Sequence, residues 1–485
     1  MKEAAEPFTS GHRRGIGNNV APGALARLAR FLDCAIFYGV LVVIVVTAIP
    51  YGTVQPWWVA FFECLVFVLG MLGIVEGLMA GRWSIKELSI ATPLVLLALF
   101  ILFQSVPLFA GPDNPGLPKL TLAISADPYN TRLVAVRLFA LIIAGGLLLI
   151  YTSSTRRLRA LIFVVIGVGL ASALFGVVRK YFQQGPGFLL PALIKDGRGF
   201  AQFINRNHFG FLLEMTWGLT LGLLFTKNGV RRRIFVVLPI AAFLWIALIL
   251  SNSRGGIVAS LGQLLFLGVL LDPLRHFDKR PAVTAWNRFR NFAGGLALRV
   301  ILIVGMVVLF AYGVAWVGGE SVVKNFQMAE YSFNEQSNYG RANTSRNEIW
   351  SSTWKLIKAH PVAGVGFGGY WIGITRYHDA TGDLTPQEAH NDYLELLASG
   401  GVIGCMLVIW FVVLFVTRVR QTLRAPEPFY RAAALGALVG IFGVIIHSFL
   451  DFGLHVTSNA VILCALIVIA LQRPHETISI KETAG

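Results

Sequence analysis

The chain has 485 residues, of which 55% are hydrophobic and only 14% are charged, and its formal net charge is +16. A water-soluble protein of this length needs more polar surface, so the composition excludes an ordinary soluble enzyme and indicates a protein that crosses a lipid bilayer repeatedly. The basic residues form short clusters between apolar stretches and are not interleaved with aromatic residues. The positive charge therefore predicts membrane topology and no nucleic-acid partner.

About twelve stretches are apolar and long enough to cross a bilayer as helices. We therefore predict an all-α polytopic membrane protein with about twelve transmembrane helices. In chain order the predicted spans lie near residues 31–50, 57–79, 89–110, 133–151, 160–179, 208–225, 234–250, 256–271, 298–317, 401–417, 431–450 and 457–472.

The basic clusters predict which side of the membrane each connection faces. With a cytoplasmic N-terminus, about 26 of the 41 Lys and Arg residues fall in cytoplasmic segments, as the positive-inside rule requires. This topology predicts a cytoplasmic N-terminal segment at 1–30 and helices one to nine within 31–317. It also predicts a large periplasmic loop at 318–399, helices ten to twelve within 400–472, and a cytoplasmic tail at 473–485.

The outer segment before the sixth predicted span reads GRGFAQFINRNHFGFLLE and combines Arg198, Asn205 and Asn207. Asn207 and Glu214 share one face if this segment is helical. A carboxylate at membrane depth requires a partner or a hydrated cavity. Glu214 therefore indicates either a functional site or a structural hydrogen-bond network that locks helices together, and both alternatives stay open.

The turn between the seventh and eighth predicted spans reads SNSRGG and places Arg254 on the outer side. A lone arginine there runs against the positive-inside bias, and its planar guanidinium suits a phosphate or a carboxylate. Gly255 and Gly256 allow a ligand to approach the backbone closely. The alternative is an arginine that reaches out to a lipid headgroup.

The large outer loop contains one predicted amphipathic helix, which begins at a capping box of Ser345 and Glu348 and ends before Pro361. The sequence GVGFGGYW follows. Its glycines match G-x-G-x-x-G, but they follow a helix and not a strand, so we predict a flexible turn and no dinucleotide site. Four aromatic side chains of this loop are available to stack on sugar rings: Trp350, Trp354, Tyr370 and Trp371.

The acidic and histidine residues of the same loop do not form a recognised metal-binding pattern. The spacing of His378, Asp379, Asp383, Glu388 and His390 matches no zinc-ligand motif. We therefore predict that these residues bind no metal.

Glu388, His390, Asn391 and Asp392 form a compact polar cluster directly before the tenth predicted span, in EAHNDYLELLASGGVIG. A neutral histidine at the membrane edge can accept a proton from a hydroxyl group. If the segment is helical, its own nearest carboxylates point elsewhere, so the partner that orients His390 must come from another segment. The alternative is a histidine that only caps or packs.

His447 and Asp451 lie four residues apart at the outer end of the eleventh predicted span. At that spacing they can meet on one face of a helix. An isolated pair of this kind is more often structural than catalytic.

Four segments follow one another within about residues 190–455: GRGFAQFINRNHFG, SNSRGG, SRNEIW with IKAHPVAGVGFGGY, and EAHNDYLELLASGGVIG. Together with the twelve-span layout and the large loop between spans nine and ten, they resemble the O-antigen ligase and Wzy-type polysaccharide polymerase superfamily. The resemblance implies a GT-C-like glycosyltransferase of the bacterial inner membrane that acts at the periplasmic face. It implies a glycan donor carried on undecaprenyl diphosphate. Because such a donor is already activated, direct attack by the acceptor would invert the anomeric centre and would need no metal and no cofactor.

The resemblance also assigns roles to residues. Two family arginines that hold the diphosphate match Arg198 and Arg254, and the loop histidine taken as the general base matches His390. Arg206 departs from the family, which often has proline between the two asparagines. Supporting roles are expected for the remaining polar residues that the motifs single out: Asn205, Asn207, Glu214, Arg346, Asn391, His447 and Asp451.

The resemblance leaves the acceptor open. A ligase transfers a finished glycan to lipid A-core in lipopolysaccharide biosynthesis, whereas a polymerase joins repeat units, as in exopolysaccharide biosynthesis, and would have a chain-length regulator as a partner. A protein O-oligosaccharyltransferase glycosylates protein serines instead. From another class, twelve spans also suit a transporter or flippase for a lipid-linked glycan, with its site near the midplane of the bilayer. We expect polymerisation or ligation of a surface polysaccharide.

Overall fold

The computed structural model describes residues 24–81, 88–110, 121–182, 199–225, 230–276, 346–378 and 386–474. The ninth predicted span and the first part of the predicted periplasmic loop lie outside the described residues. The same holds for four individual residues of the sequence predictions: Arg198, Ser345, Asp379 and Asp383.

The described chain is almost entirely helical. In chain order the helices are α1 (Ala24–Ala48), α2 (Pro56–Ala80), α3 (Thr92–Gln104), α4 (Pro128–Tyr151), α5 (Thr155–Phe182), α6 (Arg206–Gly222), α7 (Val230–Leu250), α8 (Arg254–His276), α9 (Arg346–Ala359), α10 (Tyr370–Gly373), α11 (Asp392–Leu423), α12 (Pro428–His447) and α13 (Thr457–Leu471). Single 3-10 turns lie at Ser89–Ala91, Leu223–Phe225, Ile374–Arg376 and Gly453–His455.

Seven of the described helices are long and apolar enough to cross a membrane. They are α1, α2, α4, α5, α6, α11 and α12. Four shorter apolar helices occupy Ser89–Gln104, Ile234–Leu250, Arg254–Gly268 and Thr457–Leu471. Every predicted span except the ninth overlaps one of these helices, so the prediction of a polytopic helical membrane protein is confirmed.

Several helix starts follow directly from local sequence. Pro56, Pro128 and Pro428 each stand in the first turn of their helix, where the missing N–H leaves no hydrogen bond unmade. Asp127 precedes α4 and accepts a hydrogen bond from the backbone N–H of Asn130 at 3.1 Å. Such signals mark where spans begin without any tertiary information.

The third predicted span was drawn too long, and the prediction of helices alone omitted a small sheet. The helix ends at Gln104, and strand β1 (Pro107–Ala110) pairs antiparallel with strand β2 (Thr121–Ala123). Pro107 pairs with Ala123 at one end of this ladder. The helix cannot run on because proline has no N–H to donate and disfavours helical geometry in the residue before it.

Helix α6 is the centre of the molecule, with every residue from His208 to Gly222 buried. It lies directly against α12 because glycines face each other across the contact. A Cβ atom added to Gly218 would come within 3.0 Å of the backbone of Gly440, and one added to Gly222 would do the same at Gly436. Small residues allow this close helix approach in membranes.

Helix α11 is bent at Gly401, whose φ of 58° and ψ of −160° are not helical. The amides after the bend donate to the preceding loop instead, from Val402 to the Pro361 carbonyl at 2.9 Å and from Ile403 to the Val362 carbonyl at 3.2 Å. The bend separates a first segment, which follows His390, from the apolar remainder of the helix.

The GVGFGGYW segment forms a turn, as predicted, but this turn is closely packed against its neighbours. Gly364, Gly366 and Gly368 have positive φ angles of 67°, 89° and 82°. The amides of Val365 and Gly366 donate to carbonyls of α11 at 2.9 and 3.0 Å. The glycines therefore allow backbone conformations and close contacts that a side chain would prevent. The described contacts of this turn do not resemble those of a nucleotide-binding loop.

Candidate functional site

His390 lies two residues before the first residue of α11, so the EAHNDYLELL segment is helical only from Asp392 onward. The helix begins at Asp392 because the Asn391 side chain accepts hydrogen bonds from the amides of Tyr393 and Leu394, both at 3.0 Å. His390 itself has φ +50°, a left-handed conformation that is uncommon for a residue with a side chain. The cap at Asn391 therefore separates the histidine from the helix geometry that follows.

Two hydrogen bonds hold the backbone before His390. The Trp350 indole donates to the Ala389 carbonyl at 3.0 Å, and the Ala389 amide donates to a Glu395 carboxylate oxygen at 2.9 Å. Glu395 belongs to the first turn of α11. The histidine is thus fixed both by α9 and by α11.

The partner of His390 is Asp451, which lies in the turn after α12. His390 Nδ1 is 3.1 Å from Asp451 Oδ1, and the Asp451 side chain is only 1% exposed. This confirms that the orienting group comes from another segment. Because a carboxylate only accepts, Nδ1 carries the proton and Nε2 is the ring atom left to accept one. The His390 side chain remains 35% exposed, which leaves access to a substrate.

Asp451 has further partners that keep it ionised. The Asn207 side-chain amide and the Phe452 backbone amide both donate to its carboxylate, and an Arg346 nitrogen lies 3.9 Å away. Burial raises the pKa of Asp451, but the His390 hydrogen bond and the neighbouring positive charges outweigh that effect and lower the pKa well below its ordinary value. Asp451 is thus a fixed negative charge behind His390.

Asn207 also connects this pair to the SNSRGG turn. The Ser253 hydroxyl donates to the Asn207 side-chain oxygen at 3.1 Å and accepts from the Gly256 amide at 3.2 Å. Asn205 caps α6 by accepting from the Asn207 amide at 2.9 Å. The starts of α6 and α8 are therefore joined to Asp451 in one polar network, which positions Arg254.

Three arginines stand at helix starts that adjoin this polar network. Arg206, Arg254 and Arg346 are the first residues of α6, α8 and α9. The charge of Arg254 is close enough to be repelled by those of Arg346 and Arg206. Helix N-termini carry partial positive charge and exposed N–H groups, which adds to the attraction for an anion. The arrangement suits a multiply charged anion such as a diphosphate.

Glu214 finds its partner in His447. Both side chains are fully buried, and His447 Nδ1 lies 3.1 Å from Glu214 Oε2. Phe211 stacks on the His447 ring with the ring centroids 4.0 Å apart. A side chain at Gly255 would overlap the same ring, so this pair packs directly beneath the start of α8. The contacts favour the structural alternative for Glu214.

His447 and Asp451 do not pair with each other, so that expectation is wrong. Helix α12 ends at His447, and the chain then turns, with the Asp451 amide donating to the His447 carbonyl at 3.0 Å. Because of this turn, the His447 side chain contacts Glu214 and the Asp451 side chain contacts His390. A spacing of four brings side chains together only while the helix continues.

A second histidine–carboxylate cluster lies beside the first. Glu388, Glu395 and His455 place potential metal-ligand atoms within 4.8 Å of one another. However, both nitrogens of His455 face carboxylates, which is the arrangement of a protonated imidazole rather than of a ligand that binds through one nitrogen. The expectation that the protein uses no metal stays a prediction.

The aromatic side chains of the large loop differ in how far they are exposed to solvent. Tyr370 is buried, and its hydroxyl lies 2.7 Å from that of Thr353, so its expected role in stacking on sugars is wrong. Trp354 and Trp371 are exposed. Sequence patterns could not separate these residues because aromatic side chains serve cores and ligand surfaces alike.

Sequence reasoning did not assign a role to Arg206 or to His455. The signal for Arg206 was its departure from the proline of related motifs. His455 follows Asp451 by four residues, but no local pattern links it to Glu388, which is 67 positions earlier in the chain. The contact between His455 and Glu388 is evident only in the tertiary structure, where the two turns lie side by side.

The family model described as O-antigen ligase matches residues 239–409, which include Arg254, Arg346, His390 and Asn391. The search of curated proteins found no match. Over residues 239–409 this multi-pass membrane protein is thus similar to the O-antigen ligase family, which confirms for that part of the chain the resemblance drawn from the motifs.

Proposed function

We propose that the protein is a glycosyltransferase of the bacterial inner membrane, with about twelve transmembrane helices in a GT-C-like arrangement. It transfers or polymerises a glycan carried on undecaprenyl diphosphate onto a hydroxyl acceptor at the periplasmic face. The single observation that carries this proposal is the His390–Asp451 pair, 3.1 Å apart, beside the arginines that begin α6, α8 and α9.

The chemistry follows from these groups. The acceptor oxygen attacks the anomeric carbon of the donor sugar from the side opposite the diphosphate, so the configuration inverts. The bond between that carbon and the diphosphate oxygen breaks, and the diphosphate leaves with the electron pair. The acceptor proton passes to His390 Nε2, and the negative charge of Asp451 stabilises the imidazolium that forms.

The arginines stabilise the leaving group. Charge builds up on the diphosphate as the bond breaks, and guanidinium groups held in place by helix starts need little rearrangement to meet it. The electrostatic interaction between Arg254 and Arg346 supports this role, because it requires the two charges to be near each other. By the family resemblance, Arg198 is the other diphosphate ligand, and it remains a prediction because it lies outside the described residues.

For the acceptor we propose a binding surface and a class of ligand. The exposed indoles of Trp354 and Trp371 provide faces on which sugar rings can stack. A growing glycan or lipid A-core fits such a surface, and a chain-length regulator would join the complex if the enzyme is a polymerase. Both chain termini are expected in the cytoplasm, as the basic clusters require.

Two other functions compete with this proposal. A protein O-oligosaccharyltransferase would use the same donor site with a serine acceptor. A transporter or flippase would need a polar site near the bilayer midplane. The described polar groups favour a transferase, since the membrane-buried pair Glu214 and His447 is enclosed by packing whereas His390 is open to a substrate.

The experiment that tests the function compares surface glycans of cells that lack the gene after complementation with variants. Wild type should restore a glycan ladder, and Arg254→Ala and His390→Ala should not. Arg376→Ala and His360→Ala, which change exposed residues of the same loop, are the matched controls and should restore it. Single repeat units in the deletion strain indicate a polymerase, and long chains left on the lipid carrier indicate a ligase. A ladder in the His390→Ala cells would refute the assigned base.

A further inference from the structure

Two turns near the candidate site are joined by two reciprocal histidine–carboxylate pairs. The turn before α11 supplies His390 and Glu388, and the turn after α12 supplies Asp451 and His455. His390 Nδ1 lies 3.1 Å from Asp451 Oδ1, and His455 Nδ1 lies 3.2 Å from Glu388 Oε2. The histidine of each turn thus pairs with the acid of the other turn. The second pair, His455 and Glu388, has no role in the chemistry described above.

The second nitrogen of His455 also faces carboxylates. Nε2 lies 3.4 Å from Glu395 Oε1 and 3.9 Å from Asp392 Oδ1. A ring whose two nitrogens both point at acceptors satisfies them only when both nitrogens carry a proton. His455 is therefore an imidazolium set among three acidic side chains, of which Glu388 is its ionised partner, while burial raises the pKa of Glu395 well above its ordinary value.

Titratable and charged groups face His455 from the opposing turn and from three helices, α4, α6 and α11. Glu388 lies in the opposing turn, and Asp392 and Glu395 belong to α11. Arg137 of α4 donates to the His455 carbonyl at 3.5 Å, and the imidazole of His208 on α6 is near enough to interact electrostatically with that of His455. The acids contact the ring itself, whereas Arg137 contacts its backbone.

These charges favour the protonated ring. Burial lowers the pKa of His455, but its electrostatic interactions with the acidic groups of Glu395 and Glu388 outweigh that effect, so the pKa is raised well above its ordinary value. Burial likewise raises the pKa of Glu388, and the His455 charge reverses this and lowers it to about 2. The pair is therefore ionised at neutral pH.

A short route connects this cluster to His390. Glu395 uses one carboxylate oxygen for His455 and the other for the Ala389 amide, at 2.9 Å, directly before His390. Phe452 lies between the two histidines, with its ring centroid 4.8 Å from that of His390 and 5.8 Å from that of His455. One of the contacts that hold the left-handed backbone at His390 is thus made by Glu395, a member of the His455 cluster.

We propose that His455 is a positioning residue that acts as a permanent cation and holds the turn before α11 against the turn after α12, so that His390 stays on Asp451 with Nε2 directed to the acceptor. The inference rests on the proposed function for its effect on transfer. Its structural part, the orientation of His390 by a charged His455, does not.

The test uses the full chain, purified in lipid nanodiscs, with a lipid-linked glycan donor and a sugar acceptor. His455→Gln keeps a polar side chain without the charge, and His455→Lys keeps the charge. We expect His455→Gln to lower kcat about 10- to 100-fold by misplacing the base, with donor KM little changed. His455→Lys should recover most of the wild-type kcat, and the exposed-residue control His360→Gln should behave as wild type.

A second measurement follows His390 without relying on transfer. Diethyl pyrocarbonate acylates uncharged imidazole nitrogens, and mass spectrometry of the His390 peptide gives the rate at each pH. His455→Gln and Glu388→Gln should both change the rate and pH profile of His390 labelling, and His455→Lys should restore them. Glu388→Gln serves as the second variant if His455→Gln does not fold.

The outcomes separate the two proposals. Wild-type kcat and wild-type His390 labelling in both His455→Gln and Glu388→Gln would overturn the inference and leave the transferase intact. Equal loss in His455→Lys and His455→Gln would also overturn it, because charge would not be what matters. If wild type transfers no glycan but the labelling of His390 still depends on His455, the positioning role stands and the proposed function fails.

Discussion

A histidine in a strained backbone conformation is the residue on which the proposed chemistry depends. Left-handed geometry costs a residue other than glycine about 1–3 kcal/mol and persists only where surrounding contacts impose it. At His390 these contacts are the Ala389 hydrogen bonds on one side and the Asn391 cap on the other. The strain therefore coincides with the residue whose orientation matters most.

Asp451→Asn tests the orientation of this histidine. The amide keeps the size of the side chain but removes the charge that stabilises protonated His390, so we expect kcat to fall about 100- to 10,000-fold. Donor KM should change little, because the arginines remain. Initial rates of the purified enzyme give both constants, with Glu427→Gln at the opposite end of α12 as the control. A rate near that of wild type would remove Asp451 from the mechanism.

Arg206→Pro tests whether the third arginine binds the donor. Proline is tolerated at the first position of a helix, and Asn205 before it already has the extended conformation that precedes proline, with φ −115° and ψ 125°. Folding should therefore be preserved, while loss of the guanidinium should raise donor KM roughly tenfold. Thermal unfolding and donor titration measure the two effects. Unchanged KM and unchanged salt dependence would show that Arg206 does not contact the donor.

At the scale of elements, the site is built where several helices start. Helices α6, α8 and α9 each begin with an arginine, and α11 begins just after His390. Fixed helix starts hold polar groups more firmly than a long loop would. The glycine contact between α6 and α12 sets the distance between the elements that carry Asn207 and Asp451.

Gly218→Ala tests the importance of this helix contact. The added methyl group would meet the Gly440 backbone within 3.0 Å and push α6 and α12 apart, so we expect a loss of about 1–3 kcal/mol in stability. Transfer should fall with it, since Asn207 would move from Asp451. The matched control is Gly167→Ala on α5, where a Cβ meets nothing within 4 Å. Equal stability of the two variants would show that α6 and α12 tolerate a wider spacing.

At the scale of the whole molecule, the Glu388–His455 pair contributes to how stability depends on pH. The folded pKa of Glu388, about 2, lies below its ordinary 4.5, because the His455 charge outweighs burial. Its contribution is therefore fully present above about pH 4.5 and is lost as the pH falls toward 2. The raised pKa of His455 has the opposite sign, so its contribution is present below the ordinary value and is lost only as the pH rises through the folded one.

Thermal unfolding between about pH 5 and about pH 2.5 should show this dependence. Wild type should lose stability as the pH falls, and Glu388→Gln should lose less over the same interval because it has no carboxylate to protonate there. Glu427→Gln, which changes an exposed carboxylate, is the control and should follow wild type. Parallel curves for wild type and Glu388→Gln would contradict the assigned ionisation of the pair.

The sequence by itself determined the membrane class, most helix positions and the functional residue types. Apolar runs and proline positions act locally, so the spans could be drawn within a few residues, and the cap at Asn391 could be expected from its type. The motif order was enough to point to Arg254 and His390. Each of these inferences depends on residues that are close in sequence or on composition alone.

Only the tertiary structure decided which polar groups meet. Asp451 reaches His390 across 61 positions and His447 reaches Glu214 across 233, while the local spacing of His447 and Asp451 suggested a pair that does not form. The left-handed His390 and the bend at Gly401 likewise depend on neighbours that are distant in the chain. The physical reason is that a buried polar group takes whichever partner helix packing brings within hydrogen-bond distance, and packing is a property of the whole fold.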